Sequence, residues 1–137
     1  MAISGVTVHD DVITAFQELK TKKNARYLLT KIDTGKIVLT SKGGRDESYD
    51  DFLGKLAKDQ PCYAVFDYEY EVAEGKRDKL LLVSWIPDAG KPKEKMHYAS
   101  SKAAIVNALE GGVKEIHASD ISDLSPDAIL KKIQQKH

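Results

Sequence analysis

The chain of 137 residues contains a single cysteine, no long apolar run and no excess of charge of either sign. The lone Cys62 excludes an intrachain disulfide and a cysteine metal cluster, and it indicates a reduced, intracellular compartment. No apolar stretch approaches membrane-spanning length and the first residues do not form a secretory signal, so we expect no membrane insertion. With 21 basic and 21 acidic residues, the molecule has no overall attraction to nucleic acid.

Motifs that carry catalysis are also missing. The four histidines are scattered, and no two of them have metal-ligand spacing. There is no phosphate-binding loop, no GxGxxG and no GxSxG. Asp67, Glu69 and Glu71 would share one strand face and could pair as acid and base, but a polar strand end that reaches solvent explains them better. Cys62, beside Pro61, is interpreted as a core thiol rather than a nucleophile. We expect no catalytic residue, cofactor or metal.

The remaining composition is that of an ordinary globular domain. Hydrophobic residues make up 42% and charged residues 31% of the chain, and this length suffices for one sizeable core. Helix-like and strand-like runs follow in the order α-β-β-α-β-β-α-β-α. This order predicts a single α/β domain over residues 1–137, with a central mixed sheet and helices packed on both faces. Residues 1–8 show no helical periodicity and are predicted to form a flexible amino-terminal tail.

Boundaries follow from caps, turns and apolar spacing. Asp10 and Asp11 suit the start of the first helix, and a lysine cluster suits its end. Ser48 is expected to open the second helix, and Pro126 suits the first position of the last one. The pattern predicts strands at 27–32, 36–40, 62–70, 79–86 and 113–118, with a turn at 74–78.

The stretch from Trp85 to Leu109 combines a strand end, a loop, a basic segment and a helix. Pro92 suits a first helical turn, and Ser100 or Ser101 is expected to cap a helical segment or to mark a kink between two. Charge is concentrated here, since residues 76–102 hold seven basic and three acidic side chains, a local net charge of +4. The basic ones are Lys76, Arg77, Lys79, Lys91, Lys93, Lys95 and Lys102.

The helix at the end of this stretch is predicted to bury Ile105 and to leave Lys102 and Val106 on its open face. A lysine beside an apolar residue hints at a docking surface. A solvated amphipathic helix with one tolerated valine is the alternative.

Five short motifs follow one another along nearly the whole chain. They are Ser4-Gly5-Val6, Tyr49-x-x-Phe52, Cys62-Tyr63-Ala64-x-Phe66-Asp67-Tyr68-Glu69-Tyr70, Gly75-Lys76-Arg77-x-Lys79, and Trp85-x-Pro87-Asp88 leading to Lys95-Met96-x-Tyr98-Ala99-Ser100-Ser101-Lys102. In these motifs the sequence resembles the ADF/cofilin family of actin-depolymerising factors, and the last motif is very specific.

The resemblance implies an ADF-homology domain with a five- or six-stranded mixed sheet between helix pairs. It also implies a protein that binds actin monomers and filaments, prefers ADP-actin, and promotes severing and subunit loss. The surface used for monomers and filaments would comprise Ser4, Gly5, Val6, Lys93, Lys95, Met96, Lys102 and Val106. The surface used only for filaments would comprise Lys76, Arg77, Lys79, Lys131 and Lys132.

The resemblance further implies a monomeric, cytoplasmic protein whose partners are G-actin and F-actin. A phosphate on Ser4 would add about −1.5 to −2 charges and oppose an acidic partner, which makes Ser4 a candidate regulatory phosphosite. Many relatives carry charged residues where Ala103, Val106 and Asn107 stand. This departure predicts weakened filament engagement and only weak binding of phosphoinositide headgroups.

Two alternatives stay open. A coactosin-like protein of the same superfamily would decorate filaments without holding monomers, although the amino-terminal Ser4-Gly5-Val6 motif and the Lys95-Met96 segment favour monomer binding. A small α/β enzyme is the alternative from another class, and the missing set of converging catalytic groups argues against it.

Overall fold

The computed structural model describes residues 5–109 and 112–134. The strands are β1 (Thr7–Val8), β2 (Tyr27–Asp33), β3 (Lys36–Gly43), β4 (Cys62–Val72), β5 (Gly75–Trp85) and β6 (Val113–Ala118). The helices are α1 (Asp10–Lys22), α2 (Tyr49–Leu53), α3 (Pro92–Ala108) and α4 (Pro126–Gln134), with a 3-10 turn at Ile121–Leu124. The strands form one six-stranded sheet in the order β1-β3-β2-β4-β5-β6.

The sheet is mixed and has helices on both faces, as the sequence predicts. The outer pairs β1–β3 and β5–β6 are parallel, whereas the inner pairs are antiparallel. On one face α1 and α3 bury Phe16, Leu19 and Ile105 against the sheet. On the other face α2 and α4 bury Phe52 and Ile129.

The apolar run of β5 serves both cores. Leu80 and Leu82 belong to the core under α1 and α3, while Leu81 and Val83 belong to the core under α2 and α4. Successive side chains of a strand point to opposite faces, so a strand covered on both sides must be apolar without alternation. This alternation also assigns a face to every residue of β4 and β5.

The predicted tail of residues 1–8 is wrong at its carboxyl end. Thr7 and Val8 form β1, which pairs with β3 through bonds from Thr7 N–H to the Gly35 carbonyl (3.1 Å) and from His9 N–H to the Ile37 carbonyl (2.9 Å). Val6 is only 8% exposed. A strand of two residues is too short to produce a recognisable period. Residues 1–4 lie outside the described residues.

Two further expectations need correction. Helix α3 runs unbroken through Ser100 and Ser101, and neither serine caps or kinks it. The Ser100 hydroxyl donates to the His97 carbonyl (3.1 Å) within the helix. The turn expected at 74–78 shrinks to residues 73–74, since the β4–β5 ladder continues to the pair Val72 and Gly75. The Ser48 cap is confirmed, with Asp51 completing a capping box.

Gly43 lies opposite Tyr27 in the β2–β3 pair and leaves room for the tyrosine ring. A Cβ atom at Gly43 would lie 2.0 Å from that ring. The ring is held by Phe52 and Phe66, with centroids 5.3 and 6.3 Å away, and the Tyr27 hydroxyl donates to Glu47 at 2.6 Å. Because the ring is fixed on several sides, it has little freedom to yield.

We expect Gly43→Ala to lower the free energy of unfolding by about 1–3 kcal/mol, the usual cost of forcing atoms into a packed core. Gly54→Ala is the matched control, because Gly54 has right-handed helical backbone (φ −67°) and its nearest neighbours would lie 3.5 Å away. Urea unfolding followed by circular dichroism measures both. Equal unfolding free energies for the two variants would contradict the packing described.

Candidate functional site

The outer face of helix α3 is formed mainly by small or apolar side chains. Tyr98, Ser101 and Ile105 are buried against the sheet. Met96 and Ala99 lie on the exposed side with Ala103 and Asn107, at the three- and four-residue spacing of one helix face. Met96 is 73% exposed, an unusual state for a large apolar side chain.

Lysines surround this face, and two of them are partly engaged. Lys93 is exposed beside Met96. The Lys95 ammonium donates to the Asp88 carbonyl oxygen at 3.3 Å, which holds it across the start of the helix. Lys102 lies 3.5 Å from a Glu115 carboxylate oxygen of β6, with about half of each side chain exposed. An exposed pair of this kind contributes little stability and leaves Lys102 available to a partner.

A tight turn fixes where α3 begins. Gly90 N–H donates to the Pro87 carbonyl (2.9 Å), and a Cβ atom at Gly90 would lie 3.1 Å from that same oxygen. Pro92 then opens the helix, where its missing N–H costs nothing. The turn therefore places Met96 and its neighbouring lysines directly beyond the carboxyl end of β5.

Tyr98 links α3 to the sheet through two hydrogen bonds. Its hydroxyl accepts from the Ile32 N–H at 2.8 Å, and its carbonyl accepts a bond from the Tyr63 hydroxyl. Burial raises the pKa of both tyrosines, so their hydroxyls stay protonated at neutral pH. The helix that carries the outer face is thus held at its amino-terminal half by two buried contacts.

A second exposed apolar residue lies by the segment that precedes α3, and the sequence patterns do not predict it. Ile121 is 44% exposed and, with Met96, is one of two exposed large hydrophobic side chains in the part of the chain described. It lines a groove of about 370 Å³ with Pro87, Asp88 and Ala89, the segment that leads into α3. Its position in a short 3-10 turn gives no sequence period, so only the folded chain reveals it.

The amino-terminal segment lies against α3. Val6 is buried in the same core as Tyr98 and Ile105, so its side chain can anchor the segment but cannot contact a partner. Gly5 is exposed and has φ +81°, a backbone conformation that favours glycine. Ser4 lies outside the described residues. Val106 is half-buried against the core.

The remaining basic candidates divide between two faces. Arg77 pairs with Tyr70 and Lys79 pairs with Tyr68, so both cations point to the face covered by α2 and α4. Lys131 and Lys132 are exposed on α4. Lys76 pairs with Glu71 and points to the opposite face. The sequence motif therefore groups three residues that the strand separates.

Two of the three carboxylates considered for catalysis are engaged in ion pairs, and Glu71 is exposed on β4. Asp67 is fully buried and accepts bonds from Lys23 and Arg45, while Glu69 pairs with Arg26 at 3.3 Å and Arg45 at 3.6 Å. Within residues 5–109 and 112–134, no group of three or more histidine, cysteine, aspartate or glutamate side chains could hold a metal ion. The described helices include none with the length and apolarity needed to cross a membrane.

Comparison with known proteins identifies the family. The model of the cofilin/tropomyosin-type actin-binding proteins matches residues 5–134. The cofilin of Yarrowia lipolytica is 40% identical over 138 residues, covering 98% of this chain and 90% of that protein. The structure of Streptomyces griseoflavus cofilin matches with a TM-score of 0.88 and 38% identity over 97% of this chain and 100% of that one. The ADF/cofilin of Trypanosoma brucei matches with a TM-score of 0.77 and 42% identity over 98% of both chains.

The chain therefore belongs to the cofilin/ADF family of actin-binding proteins, which confirms the resemblance drawn from the five motifs. Human coactosin-like protein also matches, with a TM-score of 0.80 over 95% of this chain and 99% of that one. Its identity to this chain is 19%, which shows a shared fold alone.

Burial raises the pKa of the Cys62 thiol to about 12, so almost no reactive thiolate is present near neutral pH. We expect iodoacetamide at pH 7.5 to alkylate Cys62 at least about a hundredfold more slowly in the folded protein than in the chain unfolded by urea, where a cysteine pKa of about 8.5 applies. Mass spectrometry at timed intervals measures both rates. Equal rates would show an accessible, ionised thiol and reopen a chemical role.

Proposed function

We propose that this protein binds actin monomers, with a preference for ADP-actin, as well as actin filaments, and that it promotes filament severing and depolymerisation. The proposal assigns it to the cytoplasm, in association with the actin cytoskeleton. It acts as a monomer and through binding alone, without a cofactor and without catalysing a covalent step.

The exposed Met96 within a lysine-rich helix start is the observation that carries this proposal. A protruding apolar side chain on a face of small residues can enter a narrow apolar cleft, because Ala99 and Ala103 let the helix backbone approach closely. Lys93, Lys95 and Lys102 would then meet acidic groups around the cleft and fix the orientation of the complex. Actin is an acidic protein, so attraction and shape act in the same direction.

Ile121 extends this surface beyond the residues that the motifs predict. Ile121 lines a groove with the Pro87–Ala89 segment, which leads into the helix that carries Met96. Gly5 and the anchored Val6 lie on the β1 side, next to α3. We infer that Gly5 and Ile121 contact monomers and filaments alike, while the buried Val6 anchors the amino-terminal segment. Ser4, which precedes Gly5 in the sequence, is the proposed phosphosite, because added negative charge would oppose an acidic partner.

Filaments would require a second contact, since a filament presents two neighbouring subunits. We assign it to Arg77 and Lys79 together with Lys131 and Lys132, because these cations share the α2 and α4 side of the sheet. Lys76, on the other side of the strand, would contribute through long-range attraction only. Asn107 is exposed and Val106 half-buried where relatives carry basic residues, which supports weakened filament engagement and weak phosphoinositide binding.

A coactosin-like filament side-binder is the second candidate, and the shared fold does not decide between the two. The Ser4-Gly5-Val6 motif together with the Lys95-Met96 segment favours monomer binding, because the family resemblance assigns both to the surface that holds monomers. Binding to ADP-actin and ATP-actin monomers, measured beside filament co-sedimentation, separates them. Tight monomer binding with actin shifted into the supernatant supports the depolymerising function, whereas decoration without monomer binding identifies a side-binder.

Met96→Ala is expected to weaken monomer binding by about fivefold to thirtyfold, the range for a central apolar contact. The side chain is largely exposed, so the thermal midpoint should stay that of the wild type. Met96→Leu keeps the apolar volume and should bind almost as the wild type does. Titration of fluorescent ADP-actin measures all three proteins. Wild-type affinity in Met96→Ala would remove α3 from the interface.

The double variant Arg77→Ala and Lys79→Ala should lose about tenfold or more in filament affinity while it binds monomers normally, because two charged contacts are removed from the filament surface alone. The double variant Lys31→Ala and Lys55→Ala makes the same change in net charge at exposed lysines around another groove. Co-sedimentation at two salt concentrations measures the effect. Equal losses in both variants would show that general charge, rather than this surface, sets filament affinity.

A further inference from the structure

The outer part of the β4–β5 hairpin projects beyond the rest of the sheet. Strand β2 pairs with β4 only from Tyr63 to Phe66, and β6 pairs with β5 only from Leu80 to Trp85. Residues 68–79 therefore form a two-stranded arm with no neighbouring strand on either side. A ribbon of two strands is marginally stable by itself and twists easily. The β4 side of the arm is held at its base, where Tyr68 packs on Tyr49 with ring centroids 5.2 Å apart and Glu69 pairs with Arg26 and Arg45. The β5 side needs a contact of its own to fix the direction in which the arm points.

An open cleft lies along the arm, where the arm faces the end of α1. Its volume is about 470 Å³, and it runs between the end of α1 and the α1-side surface of the arm. Its lining includes Lys23 from the body and Glu69, Lys76 and Asp78 from the arm. Because apolar packing does not fill this space, the contacts that cross it are polar.

Asp67 forms the fixed end of these contacts. It lies at the base of the arm, is 0% exposed, and has one carboxylate oxygen 2.9 Å from Arg45 and 3.2 Å from Lys23. A buried carboxylate holds its cationic partners strongly, because the alternative is an unpaired charge in a low-dielectric interior. The Asp67 backbone N–H also donates to the Arg26 carbonyl at 3.0 Å.

Lys23 carries the contact from this fixed point to the arm. Its ammonium bridges Asp67 at 3.2 Å and Asp78 at 2.5 Å. Asp78 lies directly between Arg77 and Lys79, the two cations assigned to the filament surface. The hydrogen bond from Lys23 to Asp78 lowers the pKa of the Asp78 carboxyl and raises that of the Lys23 ammonium, so both stay charged across the neutral range.

The backbone of Lys23 gives a second, independent indication. It ends α1 in the left-handed conformation, with φ 53° and its N–H bonded to the Glu18 carbonyl. Glycine is the residue that adopts this helix-ending conformation without strain. A lysine in this conformation is disfavoured by the backbone, and its side chain makes the two contacts to Asp67 and Asp78 that glycine cannot make.

We propose that Lys23 is a positioning residue that ties the β4–β5 arm to the buried Asp67 and so presets the direction of Arg77 and Lys79 for the filament. The inference rests on the proposed filament surface and adds a residue that is itself outside that surface. A preset arm binds better than a mobile one, because the entropy of ordering it is already lost before the partner arrives.

Lys23→Met tests the tether by removing the charge and keeping the length of the side chain. Asp67 still has Arg45, so the fold is retained. We expect filament affinity to fall about fivefold, the cost of ordering one or two side chains and the ribbon, with monomer affinity unchanged. Backbone hydrogen exchange should rise at arm residues such as Tyr70 and Arg77, and stay unchanged in the core strands.

Three further variants separate loss of the tether from loss of a positive charge and from relief of backbone strain. Lys22→Met removes a lysine at the same helix end and should leave filament affinity unchanged. Lys23→Arg keeps the charge and should restore most of it. Lys23→Gly relieves the left-handed backbone, so it should be at least as stable as Lys23→Met to heat and yet bind filaments as weakly. Equal losses in Lys22→Met and Lys23→Met, or unchanged exchange in the arm of Lys23→Met, would overturn the proposal.

The outcome also distinguishes this inference from the function on which it rests. If the double variant at Arg77 and Lys79 loses filament binding while Lys23→Met binds filaments as the wild type does, the tether is refuted and the filament surface stands. If the double variant binds filaments normally, both fail together. Loss of monomer binding in Lys23→Met would show a general structural effect and would likewise refute a positioning role.

Discussion

The structure depends above all on the pairing of β4 with β5. The two strands are 11 residues long and stay in register from Cys62 and Trp85 at one end to Val72 and Gly75 at the other. Their inner halves are apolar on both faces and separate two hydrophobic cores, each closed by one pair of helices. Their outer halves leave the sheet and carry charge. One continuous ladder therefore builds both the interior of the domain and its projecting arm.

The exposed surface of α3 and that of the β4–β5 arm differ in chemical character. At the start of α3, beyond the carboxyl end of β5, the Met96 side chain is exposed. A single exposed apolar side chain surrounded by lysines is compatible with solubility. At the arm, cations are exposed and their acidic neighbours are turned to the other face by strand alternation. The first arrangement suits shape-dependent docking, and the second suits attraction at longer range.

Most of the fold could be predicted from the sequence, because most of its helices and strands are long enough to show a repeated spacing of apolar residues. The strand Val113–Ala118 and the helix that starts at Pro126 lie where the pattern predicts them. The failures have physical reasons. Thr7–Val8 is a strand only because β3 is beside it, and the turn at the hairpin tip is shorter than glycine and charge suggested, because a two-strand ladder continued past the last apolar residue.

The site was readable only in part. Sequence motifs located Met96 and the lysines of α3, because a helix keeps the order of its residues on its surface. They could not show that Val6 is buried, that Ile121 is exposed in a groove beside the segment leading into α3, or that Lys76 points away from Arg77. These facts depend on tertiary packing and on strand register. Lys23 is the clearest example, since its partners Asp67 and Asp78 are 44 and 55 residues away along the chain.

The two buried contacts of Tyr98 have a consequence for the complex as a whole. They hold the amino-terminal half of α3 to the sheet through Ile32 and Tyr63, so the helix proposed for docking would meet a partner with little freedom to bend. When one binding partner does not change its conformation, the other partner must change its own for the two surfaces to fit. In the complex proposed above, the subunit that takes up α3 would therefore adjust its own cleft, and the free energy of docking would be available to alter the geometry of a polymer built from such subunits.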